Sequence, residues 1–166
     1  MKKILYLSLV LPLIFSSCQK EEGCMDSEAA NYNADAGEQD DASSCMYDIS
    51  GYVWETTSIV LNGSSLAASE LWYFFNDGTI GSETYDASGN MLGYGEWNQT
   101  SSVQNQITIS GTAYMDGTTL VATATCNIDI MTNANNMTWR YVNFPEAGDT
   151  YVKTLVRSTT VSLTDW

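Results

Sequence analysis

The side chains able to do chemistry fall into three groups. They are the thiols of Cys18, Cys24, Cys45 and Cys126, a cluster of oxygen donors between the second and third of these, and aromatic rings spread over the later two thirds of the chain. Asp26, Asn31, Asn33, Asp35, Asp40 and Asp41 put many hard oxygens on one short segment. Calcium takes roughly six to eight such ligands, so it is the one cofactor this segment suggests. The spacing is not that of an EF-hand, and a solvated acidic spacer is the competing reading. There is no histidine, which excludes Ser-His-Asp and Cys-His catalysis and His-based zinc sites. No nucleophile elbow, P-loop or dinucleotide fingerprint occurs either, so the chain is read as a non-enzyme. Six Lys and Arg stand against twenty Asp and Glu, a formal charge of −14, which excludes nucleic acid as a partner because phosphate binding needs a basic face.

The elements that must position these groups begin with an address. Lys2 and Lys3 precede an apolar run from Ile4 to Phe15, and Ser16, Ser17 and Cys18 follow. Such a run is too short to span a bilayer and fits the core of a signal peptide. The small-small-Cys ending resembles a bacterial lipoprotein box, with Phe15 where Leu is usual. The resemblance implies a signal peptide over residues 1–17, cleavage before Cys18, and a diacylglycerol and an N-acyl chain on Cys18. At about 0.8 kcal/mol per buried CH₂, three acyl chains would hold the protein to a membrane permanently. The alternative is an ordinary secretory signal cut near Ser17. Cys18-Gln19-Lys20-Glu21-Glu22 is similar to the export tag of surface lipoproteins in some Gram-negative bacteria. It implies an outer-membrane lipoprotein exposed at the cell surface, or otherwise facing the periplasm. Loss of Lys2 and Lys3 leaves four basic residues against the same twenty acids, a mature charge of −16.

Residues 18–48 read as an acidic tether and a stapled loop. An exported protein meets an oxidising compartment, and Cys24 and Cys45 bracket a segment without hydrophobic periodicity, so a Cys24–Cys45 disulfide is expected. Closing such a loop contributes about 3 kcal/mol in the chain-entropy model. Gly23-Cys24-Met25-Asp26, Ala29-Ala30-Asn31-Tyr32, Ala36, Asp40-Asp41 and Ser44-Cys45-Met46-Tyr47 resemble a short repeat of secreted bacterial proteins.

Residues 49–157 change character, to short alternating runs separated by turn residues every 8–12 positions, the pattern of an all-β sandwich or barrel. Eight strands are predicted: Tyr52–Leu61, Glu70–Phe75, Thr79–Tyr85, Met91–Trp97, Gln106–Ser110, Thr119–Met131, Met137–Phe144 and Thr150–Arg157. Asn76-Asp77-Gly78 is a strong hairpin signal. Ser64–Ser69 is the one place where a helical turn is expected. In the sixth strand Leu120, Ala122, Ala124, Cys126, Ile128 and Ile130 share one face, predicted to be buried, with Cys126 a reduced core residue. An eight-stranded barrel is filled by side chains or holds one small ligand. Trp72, Phe74, Trp97, Trp139 and Tyr141 are the residues predicted to line such a pocket.

Gly51-Tyr52-Val53-Trp54, Phe74-Phe75-Asn76-Asp77-Gly78-Thr79, Gly95-Glu96-Trp97, Ile128-Asp129-Ile130-Met131-Thr132 with Met137-Thr138-Trp139, and Leu155-Val156-Arg157 resemble the bacterial lipocalin-like domain. The resemblance implies an eight-stranded antiparallel barrel binding a small hydrophobic ligand. It also implies that Trp54 packs under Arg157 to close the floor, a contact worth about 0.5–2 kcal/mol. Gly-x-x-Trp stands where lipocalins proper have Gly-x-Trp. Two other functions remain open. One is a surface module with a filled barrel that meets a protein partner. The other is an acidic inhibitor of a basic enzyme such as lysozyme, since Ser110-Gly111-Thr112-Ala113-Tyr114 fits the Ser-Gly-x-x-Tyr of that family. Residues 158–166 form a tail whose Val161, Leu163 and Trp166 suggest that it packs on the barrel.

Overall fold

The computed structural model describes residues 21–39, 45–103, 106–115, 117–142 and 146–166. The signal segment, Cys18, Asp40 and Asp41 lie outside the described residues. Strands β1 (Glu21–Gly23) and β2 (Ala36–Gln39) form a small parallel pair in the N-terminal loop. The rest is one antiparallel sheet: β3 (Tyr52–Leu61), β4 (Ser64–Ser65), β5 (Ala68–Phe74), β6 (Thr79–Asp86), β7 (Met91–Val103), β8 (Gln106–Met115), β9 (Thr118–Asn133), β10 (Asn136–Val142) and β11 (Thr150–Arg157). β3 and β5 to β11 pair in chain order, and β11 pairs again with β3 from Tyr151↔Leu61 to Arg157↔Trp54. Each of these eight strands therefore has a partner on both sides, and the pairing is cyclic. The first and last predicted strands coincide with β3 and β11, whereas β7 and β8 run several residues beyond their predicted ends.

Local chemistry accounts for the turns. After β5, Asp77 Oδ1 accepts the Thr79 amide at 2.9 Å, Gly78 takes φ +85°, and Phe75 and Thr79 close the hairpin at 3.0 Å. Asp86 and Gly89 repeat the arrangement before β7. Ser64–Ser69 departs from expectation, with β4 and the start of β5 in place of a helical turn. Asn62 (φ 50°) and Gly63 (φ 80°) make the two-residue turn that needs positive φ at both centres. That turn commits Ser64 and Ser65 to pair with Leu61 and Val60.

Alternation places Tyr52 and Trp54 of β3 toward the interior. A bulge at Thr57, which the β11 register skips, then reverses the parity so that Ile59 is buried. Trp54, Ile49, Phe74, Ile80, Met137 and Leu155 pack into one core at the end where β3 begins, and the Trp54 indole donates to the Ile49 carbonyl at 3.1 Å. Arg157 is the register partner of Trp54, but its guanidinium lies over Tyr52, 3.5 Å from the ring centroid. Tyr52, two residues before the enclosed Trp54, lies at the more open position and takes the cation–π contact. The tail does pack. Ser158 donates to the Val53 carbonyl, and Trp166 meets the Tyr73 ring at 5.2 Å on the outer face. Gly81 makes this possible, since a Cβ there would lie 2.7 Å from the Trp166 ring.

Sequence alternation in β9 holds less well. Val121 and Thr123 are exposed as expected, but Leu120 is 52% exposed because it sits at the rim of the sheet. Cys126 pairs through its backbone with Ile107 and Tyr141, and its side chain lies outside the described residues.

Candidate functional site

The N-terminal loop is held by the expected Cys24–Cys45 disulfide, with Cα atoms 5.1 Å apart. Around it Cys24, Ala29, Cys45 and Tyr47 form a core separate from that of the sheet. Of the six residues expected to offer oxygens to calcium, Asp26, Asn31 and Asn33 use theirs in building this loop. Asp26 accepts the Tyr47 hydroxyl at 2.6 Å and the Glu28 amide at 3.0 Å. Those bonds hold its carboxyl below the usual carboxylate range, the Tyr47 bond foremost, while burial and the same bond push Tyr47 up to about 12. Asn31 Oδ1 accepts the Met46 amide at 2.7 Å, and Asn33 Oδ1 accepts the Asp35 amide at 3.0 Å. Among the described residues no three Asp, Glu or Cys side chains gather as a metal-binding group. Asp26, Asn31, Asn33 and Tyr47 thus have structural roles in the loop.

The sheet interior is different. Near the end where β3 finishes and β5 begins it holds a cavity of about 130 Å³. Trp72, Trp97, Tyr141, Tyr151, Glu70 and Lys153 form its working wall, and Met115 and Leu120 stand exposed at its mouth. Three of the five predicted lining residues, Trp72, Trp97 and Tyr141, are here. Phe74 and Trp139 lie in the packed core below it, 5.7 Å apart between ring centroids. The rings form a continuous arc: Trp97 to Trp72 at 6.3 Å, Trp72 to Trp139 at 4.7 Å, Trp139 to Tyr141 at 5.7 Å and Tyr141 to Tyr151 at 4.9 Å. Gly95 makes room for part of it. A Cβ there would sit 2.4 Å from the Trp97 indole nitrogen, which donates to Ser82 Oγ at 2.9 Å. The Trp139 indole N–H, fully buried, has no acceptor among the described residues.

One ion pair stands inside this wall. Lys153 Nζ lies 2.5 Å from Glu70 Oε2, with the two residues only 2% and 8% exposed. The same oxygen accepts the Trp72 indole N–H at 2.6 Å, and Nζ also donates to the Tyr141 hydroxyl at 3.1 Å. Three rings surround the ammonium, with Nζ at 4.5 Å from the Trp72 centroid, 5.0 Å from Tyr141 and 5.1 Å from Tyr151. Two charges taken from water need such compensation, since each isolated charge costs several kcal/mol to bury. Burial, and secondarily the Glu70 charge, push the Tyr151 hydroxyl well above its ordinary value.

Glu70, Lys153 and Tyr151 are not among the residues predicted to line a pocket. A signal existed in their phase. Glu70 falls on the same face as Trp72 and Phe74, and Lys153 on the same face as Leu155, so each strand carries one charge of opposite sign in step with its apolar residues. The Ser110–Tyr114 stretch lies within β8, paired on both sides from Ser110↔Asn98 to Tyr114↔Thr119, and forms no projecting loop. Compared with protein-family models and with curated protein sequences, the chain matches none.

Proposed function

We propose that the chain is an extracytoplasmic lipoprotein, anchored through Cys18, whose cyclic sheet is a lipocalin-like barrel that binds a small hydrophobic ligand. The observation that carries this reading is the aromatic-walled cavity of about 130 Å³ in the sheet interior. The order of strand pairing and the packed end beneath Trp54 are the arrangement expected of such a barrel. The disulfide is in keeping with an oxidising compartment. Trp72, Trp97, Tyr141 and Tyr151 supply flat apolar contact, and Glu70 with Lys153 supply the few polar groups that orient a ligand. The reading involves no catalysis and no nucleic acid, and it places the protein at the outer membrane, facing the surface or the periplasm.

A second reading has its own support. The lower half of the interior is filled, and the cavity is smaller than the roughly 300 Å³ at which ligand pockets usually begin. A filled barrel serving as a surface interaction module would look like this. Acidic inhibition of a basic enzyme rests on net charge alone, since Ser110–Tyr114 is inside a strand.

Calorimetric titration of the full chain with small hydrophobic molecules separates the readings. Saturable binding, lost when Ala113→Trp fills the cavity, supports the ligand carrier. A flat response across varied small apolar and amphipathic compounds leaves the interaction module. For the anchor, Cys18→Ser should move the protein from the membrane fraction to the soluble one. A mature N-terminus at any other residue by mass spectrometry refutes the lipoprotein assignment.

A further inference from the structure

We infer that the cavity selects a single-ring aromatic molecule bearing a hydrogen-bond donor, with Glu70 as the acceptor, and that it rejects organic acids. This rests on the ligand-carrier reading above and sharpens it.

Size sets the first limit. The cavity measures about 130 Å³. A dry engineered cavity of about 150 Å³ holds benzene, so the space here suits one ring, and a long acyl chain would have to run out past Met115 and Leu120. Shape sets the second. Trp72, Trp97, Tyr141 and Tyr151 offer ring faces and edges, and these match a flat ligand better than a branched aliphatic one.

Charge and hydrogen bonding set the third limit, and here the cavity differs from a dry apolar one. The Lys153 ammonium is already compensated by Glu70, by Tyr141 and by three ring faces. Glu70 is used unevenly. Its Oε2 accepts both Lys153 and Trp72, while its Oε1 accepts no hydrogen bond from the described residues. Glu70 also lines the cavity. Hydroxyls of Ser82, Thr84 and the tyrosines also line the cavity and can donate or accept, but Glu70 is the one anionic acceptor among the described residues of that lining, and it favours an O–H or N–H group. A carboxylate ligand would confront this oxygen where the dielectric is low, and would have to enter a chain of formal charge −14. The third N–H of Lys153 could reach such a ligand, but two carboxylates would then share one ammonium, leaving a net buried negative charge.

The test uses molecules of one shape and different polarity: toluene, anisole, phenol and benzoate, titrated calorimetrically into the full chain up to millimolar concentration. Phenol is expected to bind at least tenfold tighter than anisole, which accepts but does not donate, and benzoate is expected not to bind. The double variant Glu70→Leu with Lys153→Met should keep toluene binding and lose the preference for phenol. If that variant does not fold, the four-ligand comparison in the unaltered chain decides alone. Equal binding of phenol and anisole, or tightest binding of benzoate, overturns this inference and leaves the carrier reading standing. Failure of all four to bind overturns this inference, and the carrier reading falls with it when varied aliphatic and amphipathic compounds also give a flat response.

Discussion

Lys153→Met would be the most informative single substitution. It removes the 2.5 Å ion pair with Glu70, the hydrogen bond to Tyr141 and three cation–π contacts, and replaces them with a thioether of similar length. Glu70 would then stand at 8% exposure with its charge unpaired. Breaking a buried pair on one side destabilises by about 3–5 kcal/mol. The Trp72 indole still donates to Glu70 at 2.6 Å, and the carboxylate borders the cavity, so the expected loss is at the lower end, about 3 kcal/mol. At roughly 4 °C per kcal/mol for a domain of this size, the melting temperature should fall by roughly 12 °C. Since domains are stable by about 5–15 kcal/mol, the variant should remain folded at 25 °C. Urea unfolding followed by tryptophan emission and far-UV circular dichroism measures the loss, with an unchanged slope as the check on two-state behaviour. The double variant Glu70→Leu/Lys153→Met should recover most of it, because a buried pair replaced by apolar groups is commonly neutral. A single-variant loss below about 1 kcal/mol, or a double variant worse than the single, refutes the reasoning that these charges hold each other in a buried site.

Three further outcomes are expected. Gly81→Val places a side chain where the Trp166 ring lies, so Gly81→Val and Trp166→Ala should each destabilise by about 1 kcal/mol, and their combination by little more than either; additive losses would show that Trp166 is not docked on Gly81. Reducing the Cys24–Cys45 bridge should expose the N-terminal loop to protease while amide exchange in β5 to β7 stays unchanged, because the two cores are separate; a matching loss of protection in those strands would contradict this. Burial and hydrogen bonds to Glu83 and Asp26 push Tyr85 and Tyr47 up to about 12, and burial also raises Tyr73 and Tyr151. The unfolded chain then loses tyrosine protons near pH 10 while the folded one keeps them, so stability should be present below about pH 10 and fall as pH rises toward 12. Urea midpoints measured from pH 7 to 12 check this, and a midpoint that rises over that range would reverse the sign.

Much of this architecture was legible in the residues themselves. Asp77-Gly78 and Asp86 to Gly89 are local devices, so their hairpins could be read directly. The same holds for the disulfide, since two cysteines around a coreless loop need little more than proximity. Ser64–Ser69 forms no helical turn because Asn62-Gly63 is a two-residue turn that sends the chain straight back along β3. The packing partner of Arg157 and the burial of Leu120 were not legible, since each depends on where a strand ends relative to its neighbours, a relation set across the sheet. The site divides in the same way. Alternation brings Trp72, Trp97 and Tyr141 to the interior, but only the tertiary fold decides which rings border the cavity and which, like Phe74 and Trp139, fill the core below. The pairing of Glu70 with Lys153 joins residues on β5 and β11, which are not adjacent in the sheet. Each strand's pattern shows a charge in phase with its apolar face. That the two charges meet follows from closing the pairing between β11 and β3, because only then does the interior bring both side chains to one place.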